Sequence, residues 1–105
     1  MPLKREFRET VKTRVERDAA FRAALLSEVV DLFLVGDVAT GKIVLRDFIN
    51  ATIGFAALAE ATRMPAKSLM RMVGPGGNPR ADNLFAILRV LQERTGVQLT
   101  VQAAA

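Results

Sequence analysis

Apolar residues recur at helical intervals along most of the chain and predict a succession of helices. The first helix is indicated by a narrow stripe of apolar residues, four positions apart and surrounded by charged ones: Leu3, Phe7, Val11 and Val15. A wider stripe predicts a second helix and consists of Phe21, Leu25, Val29, Leu32 and Phe33. Asp18 is a suitable N-cap for this second helix, and Gly36 is a suitable residue to end it.

A third helix is predicted after Asp37, which can cap it, with Gly41 in its first turns. Its inward-facing residues are Val44, Leu45, Phe48 and Ile49. Two short helices follow, over about residues 55–61 and 65–73. Pro65 is expected at the first helical position of the second one, where the missing N–H has no helical partner anyway.

The C-terminal third begins with a glycine-rich loop and ends in a different periodicity. Gly74, Pro75, Gly76 and Gly77 form the loop, and a helix is predicted over residues 81–94, before Gly96. Its apolar side carries Leu84, Ile87, Leu88 and Leu91. Val97, Leu99 and Val101 then alternate with polar residues, which predicts a β-strand. A single strand needs a partner for its backbone, either a second copy of the chain or another protein.

The predicted fold is therefore all-α, with five to six short helices and a short C-terminal β-strand. At 105 residues the chain has room for one domain with one core. Within this domain we expect an N-terminal helical extension over 1–52, a helical core over 53–95 and the strand over 96–102.

Composition narrows the possible functions by exclusion. The chain has neither cysteine nor histidine, so disulfides, zinc sites of the usual kind and histidine-based catalysis are impossible. Its two serines, Ser27 and Ser68, have no histidine to activate them. We expect no enzymatic activity, no cofactor and no metal. Apolar runs are too short to cross a bilayer and the charged N-terminus does not look like a signal peptide, which predicts a cytoplasmic protein without membrane contact.

Charge is distributed unevenly along the chain. The net charge of +4 divides into +3 for residues 1–22, −3 for 23–62 and +4 for 63–105. The segment between Glu60 and Asp82 contains no acidic residue, but it contains the basic residues Arg63, Lys67 and Arg71. This segment is suited to binding a polyanion, although a solvated basic surface without a partner has the same composition.

The two short helices at 55–61 and 65–73 have the layout of a helix-turn-helix. Ala59 is small enough for a close helix crossing, while Leu69 and Met72 are expected in the core. Four residues should then face away from the core: Ala66, Lys67, Ser68 and Arg71. Lys67 and Arg71 are one helical turn apart, and such side chains reach guanine O6 and N7 in a major groove. An αα-hairpin within a helical bundle has a similar pattern.

The segment ALAEATRMPAKSLMRMVGPGGNPRADNLFAILRVL resembles the antidote proteins of bacterial toxin–antitoxin modules (HigA-like antitoxins), which belong to the phage-repressor-like (XRE-type) helix-turn-helix superfamily. The shared features are a Leu-Ala pair, a Ser-Leu-x-Arg run, a Gly-Asn-Pro loop and an amphipathic helix after it. The resemblance covers about residues 53–101, and the segment LRDFINATIGF is also similar to plain transcriptional regulators of this superfamily.

The resemblance implies double-stranded DNA as the partner, with a palindromic operator bound by a homodimer, and a possible cognate toxin. It places Ala66, Lys67, Ser68 and Arg71 at recognition-helix positions, and Gly77, Asn78 and Arg80 in a loop that grips the DNA backbone. Two positions depart from the family pattern. Arg63 replaces the usual turn glycine, so a positive φ would be strained there, although its side chain could contact phosphate. Phe55 replaces a glutamine that often contacts phosphate. The alternative function is a protein-binding module, a toxin neutraliser or dimerisation partner, that keeps the fold without binding DNA.

Overall fold

The computed structural model describes residues 5–105, and in this range it contains six α-helices and no β-strand. The predicted all-α class is therefore confirmed. The helices are α1 (Arg5–Arg17), α2 (Ala19–Leu34), α3 (Val38–Ala51), α4 (Gly54–Thr62), α5 (Ala66–Met72) and α6 (Ala81–Thr95).

Local sequence signals explain where several helices begin and end. The Asp18 carboxylate accepts a hydrogen bond from the Phe21 N–H at 3.0 Å, and Asp37 accepts one from the Thr40 N–H at 3.2 Å. Each bond satisfies a backbone donor that the first helical turn leaves unpaired, so both predicted N-caps are confirmed. Gly36 after α2 and Gly96 after α6 adopt positive φ values of 88° and 73°, as expected for glycines that end helices.

One apolar core connects α2, α3, α4, α5 and α6. Its fully buried side chains include Leu26, Val29, Leu45, Phe48, Ile49, Leu58, Leu69, Ile87 and Leu91. These residues come from both sides of the boundary at residue 52, so the N-terminal helices and the α4–α6 helices share one core. Leu26, which the predicted stripe of the second helix omits, is fully buried.

Gly41 allows α2 and α3 to approach closely. A Cβ at this position would lie 2.5 Å from the Cε1 atom of Phe33 on α2. The Phe33 ring therefore occupies the space that any larger residue at position 41 would need. This contact explains a glycine inside the first turns of a helix, where glycine is otherwise unfavourable.

Helix α1 packs against α2 and α3, and its most deeply buried residue lies near its C-terminal end. Val15 is fully buried, Val11 is half-buried and Phe7 is 54% exposed, so the predicted apolar stripe runs from the core at Val15 to the surface at Phe7; Leu3 lies outside the described residues. The Arg22 guanidinium donates to the Val15 carbonyl at 2.9 Å and to the Thr95 carbonyl at 3.2 Å. One cation therefore binds the C-terminal ends of both α1 and α6, where helix carbonyls lack partners.

The predicted C-terminal strand is not present. The segment from Val97 to Val101 forms no ladder with any described residue, because one copy of the chain offers no second strand. The alternation of side chains is nevertheless visible: Val97 is buried, Leu99 packs against the core, and Val101 is 70% exposed. The Leu99 N–H donates to the Oε1 atom of Gln92 at 2.8 Å. This side-chain oxygen takes the place of the backbone acceptor that a neighbouring strand would provide.

Candidate nucleic-acid interface

Helices α4 and α5 are joined by a three-residue turn, Arg63–Pro65. Arg63 has φ 58° and ψ 31°, and it is the only residue other than glycine with positive φ in the part of the chain that the structure describes. The backbone thus requires the left-handed conformation where the sequence has no glycine. Pro65 precedes the first helical residue as the N-cap, with an extended ψ of 140°, so its predicted place at the first helical position is wrong by one residue.

Buried side chains fix the rotation of α5 about its axis. Leu69 is fully buried and Val73, just after the helix, is almost so. Ala59 of α4, Met64 of the turn and Met72 pack against the same core. Leu69 and Met72 therefore face the core as predicted, and the opposite side of this seven-residue helix faces solvent.

The residues predicted for the recognition helix differ in how far they are exposed to solvent. Lys67 and Arg71 are exposed, as expected, while Ser68 is half-buried. Ala66 was expected to face away from the core but packs against it, because it lies three residues before Leu69 on the same side of the helix. Met70, in contrast, is 49% exposed and lies beside the two cationic residues in sequence.

Phe55 belongs to the core and not to the interface. Its ring is 7% exposed and packs with Leu58 and the other buried residues. A side chain buried in this way cannot contact a phosphate. Phe55 therefore stabilises the core.

The glycine-rich loop folds back onto the C-terminal end of α5. The Gly77 N–H donates to the Gly74 carbonyl at 3.0 Å, and a Cβ at Gly77 would overlap the carbonyl oxygens of Arg71 and Met72. Gly77 is thus confined by backbone on one side. Asn78 and Arg80, which follow it, are exposed, and the Arg80 guanidinium lies 3.4 Å from the Asp82 carboxylate.

Lys42 on α3 reaches this loop and was not predicted to do so. Its side chain is only 7% exposed, and its ammonium group donates to the Gly77 carbonyl at 2.6 Å. The helical pattern places residue 42 on the buried side of α3, three residues before Leu45. Nothing in the sequence indicates that this side meets the loop 35 residues later.

Cationic charge on the α4–α5 side is largely uncompensated. Among residues 5–105 no carboxylate lies within ion-pair distance of Arg63, Lys67 or Arg71, whereas Arg80 has Asp82. The exposed ends of these side chains are therefore available to an anion. Since Arg71 contributes its carbonyl to the space around Gly77, the helix and the loop form one continuous surface.

A second set of basic residues lines a groove of about 420 Å³ between α1 and α3. Arg5, Arg8, Lys12 and Arg46 line it together with Glu9, Asp47 and Asn50. Partial burial raises the pKa of the Asp47 carboxyl, and the neighbouring Arg46 and Arg8 oppose this rise. The groove carries excess positive charge, but it was not predicted as part of the interface.

Comparison with protein-family models, curated proteins and solved structures found no match for this chain. Over the described range, the side chains offer no group of three or more potential metal ligands. None of the helices from α1 to α6 has both the length and the apolar content needed to cross a membrane.

Proposed function

We propose that the protein binds double-stranded DNA through a helix-turn-helix formed by α4 and α5. The observation that carries this proposal is the exposure of Lys67 and Arg71 on a helix whose other side is fixed by Leu69 and Val73. No acidic residue lies between Glu60 and Asp82, so α5 itself brings no carboxylate close to DNA phosphate.

In the proposed complex, α5 enters the major groove. An α-helix with its side chains is about 10–12 Å in diameter, which fits the width of that groove, and the seven residues of α5 extend for about 10 Å along it. Lys67 and Arg71 lie one turn apart on its exposed side, where they can donate to guanine O6 and N7. Ser68 is half-buried between them and is suited to a contact with phosphate or a base edge.

Phosphate contacts are assigned to the turn and the loop. Arg63 ends α4 with its side chain exposed, and Asn78 and Arg80 follow the confined Gly77. Residues in such positions fix the register of a protein on the duplex without reading its sequence. Ala66 and Gly77 contribute through packing and backbone, since Ala66 lies against the core and Gly77 against α5.

The biological role that fits this proposal is an antitoxin that represses its own promoter, or a small transcriptional regulator. A homodimer would present two copies of α5 to the half-sites of a palindromic operator, and a toxin would be a further protein partner. Such a protein acts in the cytoplasm.

The test is DNA binding by the wild type and by Arg71→Ala and Lys67→Ala, on operator and on scrambled duplex. The promoter region of the protein's own gene is the first operator candidate. We expect loss of a base-reading side chain to cost about 1–3 kcal/mol on the operator only. Arg89→Ala is the matched control, since Arg89 is an exposed arginine on α6 outside the proposed interface. An unchanged operator-to-scrambled ratio in both variants would show that α5 does not read bases.

The alternative is a protein-binding module that does not bind DNA. It is favoured by exposed apolar residues where α2 ends and α3 begins, namely Leu34, Val35 and Val38, and by Val101 in the C-terminal segment. Leu34 and Val101 line one shallow depression together with Leu99. If the wild type binds no duplex, including its own promoter region, this alternative replaces the first proposal.

A further inference from the structure

Lys42 is a buried residue with 7% of its surface exposed, and its ammonium group contacts a backbone carbonyl. Within residues 5–105 no carboxylate lies in ion-pair distance of it, and the acceptor in contact with it is the Gly77 carbonyl. A lysine side chain is rarely buried without a paired acid, because removing the ammonium from water is unfavourable. A hydrogen bond from a charged donor to a backbone carbonyl offsets part of this cost.

This hydrogen bond gives the loop a second contact, in addition to its contact with α5. The carbonyls of Arg71 and Met72 leave no room for a Cβ at Gly77. In addition, the Lys42 ammonium donates to the Gly77 carbonyl at 2.6 Å. The position of Asn78, the next residue, is therefore determined jointly by α5 and by α3.

We propose that Lys42 is a positioning residue for DNA binding: it fixes the loop from Gly74 to Arg80 so that Asn78 and Arg80 contact the phosphodiester backbone. This inference rests on the proposed function of the α4–α5 surface. It also gives the N-terminal helices a part in DNA binding, since α3 carries Lys42. A loop that is already ordered in the free protein loses less conformational entropy when the complex forms.

The first measurement is amide hydrogen exchange in the free protein, for the wild type and Lys42→Met. Methionine keeps the aliphatic volume of the side chain and removes the ammonium. We expect exchange of the hydrogen-bonded loop amides at Gly74 and Gly77 to become about tenfold faster, while core amides at Leu45 and Phe48 keep their rates. Lys12→Met removes the same charge at an exposed position and should change neither set.

The second measurement is affinity for operator and scrambled duplex. We expect Lys42→Met to weaken both about tenfold, with an unchanged ratio between them, and Lys42→Arg to restore part of the loss. If Lys42 acts through the loop, its effect should largely disappear in a background that already carries Asn78→Ala and Arg80→Ala.

Several outcomes would overturn the inference. Unchanged loop exchange in Lys42→Met would show that the hydrogen bond does not hold the loop. If Lys42→Met weakens DNA binding no more than Lys12→Met does, Lys42 does not act through the loop. The same conclusion follows if its effect on the binding free energy adds fully to that of Asn78→Ala and Arg80→Ala. In all of these cases the wild type still binds DNA, so the proposed function stands. If the wild type binds no duplex, the proposed function and the role of Lys42 in it fail together, whatever the exchange rates.

Discussion

At the scale of single residues, the turn between α4 and α5 combines a strained backbone with a useful side chain. Arg63 adopts the left-handed conformation that glycine adopts without strain, with φ at 58°. For a residue with a Cβ this conformation costs roughly 1–2 kcal/mol. The chain thus has a cation where a glycine would be more stable, which fits a contact between Arg63 and DNA phosphate.

Replacing Arg63 by glycine should therefore separate stability from binding. We expect Arg63→Gly to raise the free energy of unfolding by about 0.5–1 kcal/mol, since the relief of strain exceeds the added flexibility of the unfolded chain. DNA affinity should fall on operator and scrambled duplex alike. Arg63→Val, which puts a β-branched residue at the same φ, should destabilise the protein. Urea unfolding of the three proteins checks the order, and a destabilised glycine variant would contradict it.

Two neighbouring glycines in the loop should respond differently to the same substitution. Gly77→Ala places a methyl group against the carbonyls of Arg71 and Met72, whereas a Cβ at Gly76 meets no atom within 4 Å. We expect Gly77→Ala to destabilise the protein by about 1–3 kcal/mol, as overpacking does. Gly76→Ala should be neutral or slightly stabilising. Equal effects in thermal unfolding would show that the loop is not seated on α5.

Asp47 should make a distinct contribution to the pH dependence of stability. Burial raises the pKa of its carboxyl above the ordinary value of 3.8, so the folded state favours the protonated carboxyl. The resulting stabilisation is fully present when the pH is below 3.8. That contribution is lost as pH rises through the folded-state pKa. Asp47→Asn, which resembles the protonated form, should be more stable than the wild type at pH 7. Urea unfolding should show that the difference in free energy of unfolding between Asp47→Asn and the wild type decreases towards pH 3. A difference that increases on acidification would contradict a raised pKa for Asp47.

At the scale of helices, the sequence was a good guide to local structure and a poor guide to contacts between distant segments. The caps at Asp18 and Asp37 and the approximate ends of α4, α5 and α6 followed from residue types within one turn. The Lys42–Gly77 bond joins residues 35 positions apart, and periodicity contains no information about such a pair. The strand expected over Val97–Val101 failed for a related reason, since alternation describes one segment and a strand requires two.

The rotation of α5 can be tested with two adjacent residues. Leu69 is fully buried and Met70 is 49% exposed. We expect Leu69→Ala to lower the free energy of unfolding by about 2–5 kcal/mol, because it leaves a cavity in the core. Met70→Ala should change it by less than about 0.5 kcal/mol. The reverse order in denaturant unfolding would mean that Lys67 and Arg71 do not share the exposed side.

At the scale of the whole molecule, the proposed DNA-binding function requires a second copy of the chain. Among residues 5–105 the backbone of the C-terminal segment has no ladder partner, and Val101 is exposed near its end. In a homodimer two such segments can pair, and the two recognition helices then meet half-sites about 34 Å apart. We propose this arrangement as the dimer.

Dimerisation can be checked by sedimentation at high micromolar concentration without DNA. We expect a dimer for the wild type and a monomer for a chain ending after Gly96, provided that circular dichroism shows the truncated chain to be helical. Because Val97 and Leu99 also contact the core, Val101→Lys is the milder companion variant and should weaken the dimer. A wild-type monomer under these conditions would contradict the proposal.

Helix α1 has its most deeply buried residue near one end, so any tilt about that residue would displace the other end most. Its firm contacts, the burial of Val15 and the bond from Arg22 to the Val15 carbonyl, lie near one end of the helix. Arg5 stands about 15 Å from that pivot along the helix axis. A rotation of about 10° would therefore move Arg5 by roughly 3 Å and change the width of the groove between α1 and α3. Such a tilt would change the spacing between the basic residues at the far end of α1, Arg5 and Arg8, and Arg46 on α3.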